Sequence, residues 1–474
     1  MIFSDYFNLD NNQLSLDFVD IPLDTDLCLF IDPTAIRGLK SEWGQDLIEC
    51  LQDYFSKILE KIKEGDDETA FYLLSSLRES NSFHLGYSKG KSGGKALGDK
   101  SADEILISLK SSNAAKSGLL KDLEDTALTI DGVASDRISD SVCNILKLFF
   151  IEYTQHISKF YGVKLEESEK IKVWDDEKNK WISKKFLLPR GVDGSVILIP
   201  KILARYGIAY SHKTFYNRYI MPSLRNEHLS LNSALVETLK SGKRRVTRKR
   251  LLDEYGASKP FIESQIAKFT SSLNEYREEM TLNPPPPLKH RDFQEINKIE
   301  PFKLSELTKE LLSYVKGVDG NKYFSSLKKI LPFIFYPSLI YPIVLGSNNE
   351  IFRLSYLNES RQGFFFELSV FGIESERVIF YFYNDISNDN VIDTMIKDLD
   401  INKVQLGIIF CRGADGKVNK RLKDLSVLEK NYILIIDDNG FDNLVDEYLK
   451  GGDQSFESIR SIFRDITRLC PAIG

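Results

Sequence analysis

Histidine and cysteine are scarce in this chain, with five of each among 474 residues. Cys28, Cys50, Cys143, Cys411 and Cys470 are scattered, odd in number and form no C-x-x-C. Neither a disulfide framework nor a zinc site is expected, and reduced thiols fit a cytoplasmic protein. Five dispersed histidines make a His-based metal centre equally unexpected. Long apolar runs are missing too. The stretch Ile330–Leu345 is only sixteen residues long and holds Pro332, Pro337 and Pro342, too short and too broken for a membrane span. Asp5, Asp10 and Asp17 interrupt the opening residues, so no signal peptide is expected there. Charge of one sign is not in excess: the formal net charge is −6, and any attraction to nucleic acid must be local. No Ser-His-Asp or Cys-His arrangement is recognisable, so a hydrolase of that type is not expected.

What is present is ordinary in bulk, with 42% hydrophobic and 28% charged residues. The length allows roughly two to four domains. The patterns suggest an α/β multidomain protein: a mostly helical N-terminal region over 1–165, a middle domain over 166–282, a Pro-rich linker over 283–299 and an α/β domain over 300–474. In the first region, Leu47, Leu51, Tyr54, Phe55, Ile58 and Ile62 recur at helical spacing before Gly65. The apolar series from Ile138 to Phe160 predicts one long helix. Trp174 and Trp181 fall in a charged segment that reads as a hairpin or loop. Pro284 to Pro287 favour an extended polyproline spacer.

Several local patterns could carry chemistry. Gly86 to Lys95 is rich in glycine and lysine, but it has three residues where the phosphate-binding loop needs four, and no apolar strand precedes it. A basic loop in which Lys89, Lys91 and Lys95 touch a phosphate backbone is the better reading. Asp136, Asp140 and Asn144 fall four apart on one helix face. They make a weak metal candidate, and an acidic helix start with Asp136 as cap explains them better. The strongest electrostatic signal is Lys240–Arg250, where seven of eleven residues are basic: Lys240, Lys243, Arg244, Arg245, Arg248, Lys249 and Arg250. Thr247 can cap a helix ending at Gly256, and Ser258 can cap a second with Pro260 in its first turn. The pair is similar to a helix-turn-helix, whose second helix enters the major groove. This points to nucleic acid, DNA in the first instance. An acidic protein surface is the alternative partner for the same basic run.

The stretch Arg353–Asp385 organises the C-terminal region. It reads as a strand ending at Leu357, a second strand over Gly363–Val370, a turn over Gly372–Glu376 and a buried strand over Arg377–Tyr383. Asp389–Leu399 reads as a crossover helix, and Val404–Cys411 and Tyr432–Ile436 as further buried strands. Over most of 323–450 this resembles the PD-(D/E)XK restriction-endonuclease-like family. Gly363-Phe364-Phe365, Asn384, Gly407–Arg412 and Ile436-Asp437-Asp438 carry the likeness. The resemblance implies an Asp on one strand and Glu-x-Lys on a later one, the acids holding Mg²⁺ and the lysine helping to place the attacking water. Here Ser355 stands at the Asp position and Tyr381 and Tyr383 at the Glu and Lys positions. A tyrosine has an ordinary pKa of about 10 and offers no anionic oxygen near neutral pH. The expectation is a pseudonuclease without cofactor, acting with nucleic acid and a partner protein or second copy in bacterial restriction or antiphage defence. The alternative is a Mg²⁺-dependent nuclease with displaced acids, for which Asp385 and Glu367 are the residual candidates.

Overall fold

The computed structural model describes residues 1–77, 80–86, 99–347, 351–414, 416–451 and 454–467. Near the N-terminus β1 (Phe30–Ile31) precedes α1 (Glu42–Glu64). Ser41 caps α1 by accepting the Gly44 N–H at 3.2 Å, and Gly65 closes it in the left-handed region. Leu47, Leu51, Tyr54, Phe55 and Ile58 form its buried face. The single long helix expected from Ile138 is instead two, α2 (Ser135–Ile145) and α3 (Lys147–Tyr161), parted where Leu146 leaves helical backbone. The change of direction lets α2 pack on β1 while α3 reaches the edge of the C-terminal sheet.

The boundary expected at residue 165 does not separate two cores. The strands β2 (Ile171–Asp175) and β3 (Lys180–Lys184) form a hairpin with Trp174 opposite Trp181, and both indoles stand edge-on to Tyr54 of α1. Further on, β4 (Ala204–Arg205) pairs antiparallel with β1. Residues as far as 205 therefore complete the N-terminal core. The proline run is not a free spacer either. Arg205 Nη2 donates to the Pro285 carbonyl at 3.0 Å and Tyr336 Oη to that of Leu288 at 2.8 Å, which straps the segment down at both ends.

The middle region follows as α4 (Met221–Leu231), the short strands β5 (Glu237–Thr238) and β6 (Arg244–Arg245), then α5 (Arg248–Tyr255), α6 (Lys259–Lys268) and α7 (Ser271–Leu282). The C-terminal region opens with α8 (Leu304–Ser313) and α9 (Gly320–Phe335). Its strands are β7 (Leu339–Ser347), β8 (Ile351–Asn358), β9 (Arg377–Tyr383), β10 (Leu406–Phe410) and β11 (Tyr432–Ile436). They form one five-stranded sheet in the order β11-β10-β9-β8-β7. Strands β7, β8 and β9 are antiparallel, while β9, β10 and β11 run parallel, as crossover helices require.

The expected strand at Gly363–Val370 is a helix, α10. Its apolar residues serve a helical spacing: Phe364, Phe365 and Leu368 are buried, and Phe364 and Phe365 meet Phe463 and Phe456. Gly363 has φ +71°, and a Cβ there would stand 1.9 Å from the Gln454 carbonyl oxygen, so no side chain fits. After α10 the C-terminal region adds α11 (Asp389–Asn402), α12 (Gly416–Leu428), α13 (Asp438–Gly451) and α14 (Glu457–Thr467). Against one sheet face, Phe335 of α9 stacks on Phe380 at 5.5 Å. Packing of α11 covers the other.

Candidate functional site

Side chains alternate across a strand, so Arg353 and Ser355 of β8 share a face with Arg377, Ile379, Tyr381 and Tyr383 of β9. The register places Arg353 opposite Tyr381 and Ser355 opposite Ile379. This face holds the three positions where the nuclease resemblance expects its catalytic groups, and each is otherwise engaged. Tyr381 Oη donates to Asp398 Oδ2 of α11 at 2.7 Å, and Arg353 Nη1 approaches the same oxygen at 3.1 Å. Gly346, the cross-strand partner of Arg353, makes room for the guanidinium: a Cβ there would meet it at 2.5 Å. Burial, reinforced by Asp398, pushes the Tyr381 phenol well above its ordinary value, so it remains a neutral donor.

Ser355 Oγ accepts Arg377 Nε at 2.6 Å, while the Ser355 and Tyr341 carbonyls accept Arg377 Nη2. Burial draws that guanidinium down to about 10. Tyr383 is buried beside Asn388, whose Nδ2 lies 3.4 Å from its hydroxyl. Asn384 is structural: its amide donates to the Val315 carbonyl at 2.9 Å and accepts from Arg412, which also bonds the carbonyls of Leu311 and Leu312. These residues do not fit a Mg²⁺ ion. The central carboxylate, Asp398, is already satisfied by a guanidinium and a phenol, and hard divalent cations require several free oxygen ligands.

The residual acids do not converge. Asp385 follows the end of β9, where its Oδ1 accepts the Ile386 N–H at 2.7 Å. Glu367 lies on α10, at the other end of the strand pair, in an ion pair with Arg460 at 2.7 Å. Asp136 is in the first turn of α2, whose cap is Ala134 and not Asp136 as expected. The Asn144 amide donates to the Asp140 backbone carbonyl and its Oδ1 accepts Lys147 Nζ at 2.8 Å. Among the described residues no group of three or more His, Cys, Asp or Glu is placed to hold a metal ion.

The basic run folds as a hairpin followed by the two expected helices. In the hairpin Glu237 pairs with Arg245 and Thr238 with Arg244. Buried Val246 and the bond from Arg225 Nε to its carbonyl fix the base of the hairpin to α4. All seven basic side chains are exposed. Glu237 pairs with Arg245 at 2.6 Å and with Arg250 at 3.6 Å. Lys240, Lys243, Arg244, Arg248 and Lys249 make no ion pair among the described residues. Thr247 and Ser258 cap α5 and α6 as their positions predict.

The second helix, however, is docked and not presented. Lys259 Nζ donates to the carbonyls of Ile130 and Val133 at 3.0 and 2.6 Å. Glu263 Oε1 accepts Ser112 Oγ and the Ala114 N–H, both at 3.1 Å. A recognition helix offers its N-terminal residues to bases, whereas these are committed to the N-terminal core. The cationic hairpin is the exposed element instead. Lys89, Lys91 and Lys95 lie outside the described residues.

Sequence reasoning missed Arg353 and Asp398. One signal could have found the acid: with Val391 and Met395 it falls at helical spacing i, i+4, i+7 on the apolar stripe of α11.

Residues 8–211 match the model of a family described as a domain of unknown function, DUF8370. The matched segment crosses residue 165 and ends just beyond β4, in keeping with the core that β1 and β4 close together. No curated protein and no solved structure matches the chain. No helix among the described residues is long and apolar enough to cross a membrane.

Proposed function

We propose that this chain binds nucleic acid without cleaving it, as a pseudonuclease component of a bacterial restriction or antiphage system. Two features support the fold part of this reading. A helix leads into an antiparallel three-strand meander, and a crossover helix then returns the chain to a parallel strand beside β9. The likeness to the PD-(D/E)XK family rests on that order and on the residues that resemble its motifs.

The observation that carries the reading is the Arg353–Asp398–Tyr381 group. A guanidinium on the sheet face supplies the positive charge that a divalent ion would bring, and it cannot activate water. The hairpin and the start of α5 supply the contact surface, because Lys240, Lys243 and Arg244 of the one and Arg248 and Lys249 of the other lack carboxylate partners among the described residues and are available to phosphates at little desolvation cost. A partner enzyme would supply any cleavage.

The test is a gel shift and a cleavage assay on the full chain with labelled duplex DNA, with and without Mg²⁺. Binding that weakens steeply with salt, and no metal-dependent product, is the expected result. Mg²⁺-dependent cleavage lost in Asp385→Ala would favour displaced acids and overturn the non-catalytic reading. Absence of DNA binding together with a co-purifying acidic protein would favour an assembly role.

A further inference from the structure

A cleft of about 630 Å³ opens between the N-terminal residues 7–11, the end of α3 at Phe160–Gly162, and α9. Asn321, Phe324, Ser325 and Lys328 line it from one face of α9, as their i, i+3, i+4, i+7 spacing requires, and Phe352 of β8 contributes to its wall. Lys328 is unusual in this setting. Its ammonium lies 4.1 Å from the Phe352 ring centroid and 5.7 Å from that of Phe160, and it makes no hydrogen bond or ion pair among the described residues. The nearby acid, Asp10, is paired with Lys329. Burial alone lowers the Lys328 ammonium below its ordinary range, with no carboxylate opposing the shift. The cleft thus holds one uncompensated positive charge between aromatic rings.

We propose that this cleft binds a small organic anion of the nucleotide class, with a phosphate on Lys328 Nζ and a flat heterocycle against the phenylalanine walls. The volume suits a small ligand. A desolvated ammonium gains a short charge-assisted bond from an anionic oxygen, and Phe324 and Phe352 present the edges of their largely buried rings to the cleft. The amides of Asn8 and Asn321 at the rim can both donate and accept, as a base edge demands. Residues 7–11 and 160–162 fall in or beside the family-matched segment, and α9 belongs to the C-terminal region. An occupant would clamp the two together. This site is independent of the hairpin.

Titration calorimetry and thermal shift on the full chain with AMP, inorganic phosphate and adenosine test the proposal. AMP is expected to bind and raise the melting temperature, with phosphate and adenosine each at least about tenfold weaker. Lys328→Met is expected to weaken AMP by at least about tenfold and to keep or raise the melting temperature of the ligand-free protein. Ser325→Trp, at an exposed position, fills the cleft and should abolish the response even if the lysine variant folds poorly. Lys243→Ala should leave AMP binding unchanged. No AMP binding to the unaltered chain, equal binding by both cleft variants, or loss in Lys243→Ala would overturn the proposal. Phosphate binding as tightly as AMP would overturn the nucleotide class.

Discussion

Ser41 Oγ donates a 2.5 Å hydrogen bond to Glu359 Oε1, joining residues 318 positions apart. The same carboxylate accepts the Lys40 N–H at 2.6 Å, and Glu376 accepts that of Glu42 at 2.7 Å. Two acids from the sheet region thus satisfy orphan N–H groups at the head of α1 and face the positive end of its dipole. A second stitch lies at the sheet edge, where Asp17 accepts the Tyr341 N–H at 3.2 Å and the Tyr153 hydroxyl at 2.7 Å. The family-matched segment and the C-terminal five-stranded sheet are therefore fastened by carboxylates on backbone donors.

Removing the first stitch should be costly. Glu359 is 4% exposed, so Glu359→Ala leaves buried donors without acceptors and should lower stability by about 2–4 kcal/mol. Glu359→Gln keeps an acceptor and should lose roughly half of that. Urea unfolding checks both, and a loss in the Ala variant below about 0.5 kcal/mol would show that the bonds are dispensable.

The closed sheet centre makes an ordered prediction. Tyr381→Phe removes one bond to Asp398 and should cost about 1 kcal/mol. Asp398→Ala strands the Arg353 guanidinium and the Tyr381 hydroxyl together, and should cost about 3 kcal/mol. If the two variants melt alike, the Arg353–Asp398 pair contributes nothing.

The docked position of α6 separates two modes of DNA contact. Charge reversal at the hairpin, Lys243→Glu, should weaken DNA binding several-fold and flatten its salt dependence by about one unit of slope or more. Ser264→Glu on the exposed side of α6 should change affinity far less. The opposite ranking, measured by fluorescence anisotropy over a salt series, would return α6 to the groove.

Much of the secondary structure was legible because it follows from local rules. The caps Thr247 and Ser258 mark α5 and α6, and the continuous apolar runs of β9, β10 and β11 mark buried parallel strands. What stayed hidden was set by distant partners. Gly363–Val370 is apolar almost throughout, so its period says little, and its helical form depends on Phe456 and Phe463. Ser355, Tyr381 and Tyr383 could be singled out along the chain, but the Arg353–Asp398 pair beside Tyr381 joins residues 45 positions apart and could not. Likewise the hairpin's charge was visible, while the docking of Lys259 at the α6 start on the Ile130 and Val133 carbonyls was not.

Lys147 allows a test by pH. Its ammonium is buried at the start of α3, with Asn144 Oδ1 at 2.8 Å and the Phe83 ring at 6.0 Å. Burial pulls its pKa from the ordinary 10.5 down to about 8. Between those values the unfolded chain holds more protons at this site than the folded one, so stability rises with pH across the window. Below pH 8 the folded state carries the full burden of a buried charge, at most about 3 kcal/mol. Lys147→Met should therefore raise stability at pH 7, and the gap between variant and parent should close as pH climbs from about 8 to 10.5. Urea melts of both proteins at half-unit pH steps provide the check, and a gap that is constant with pH would show that Lys147 does not titrate in that range.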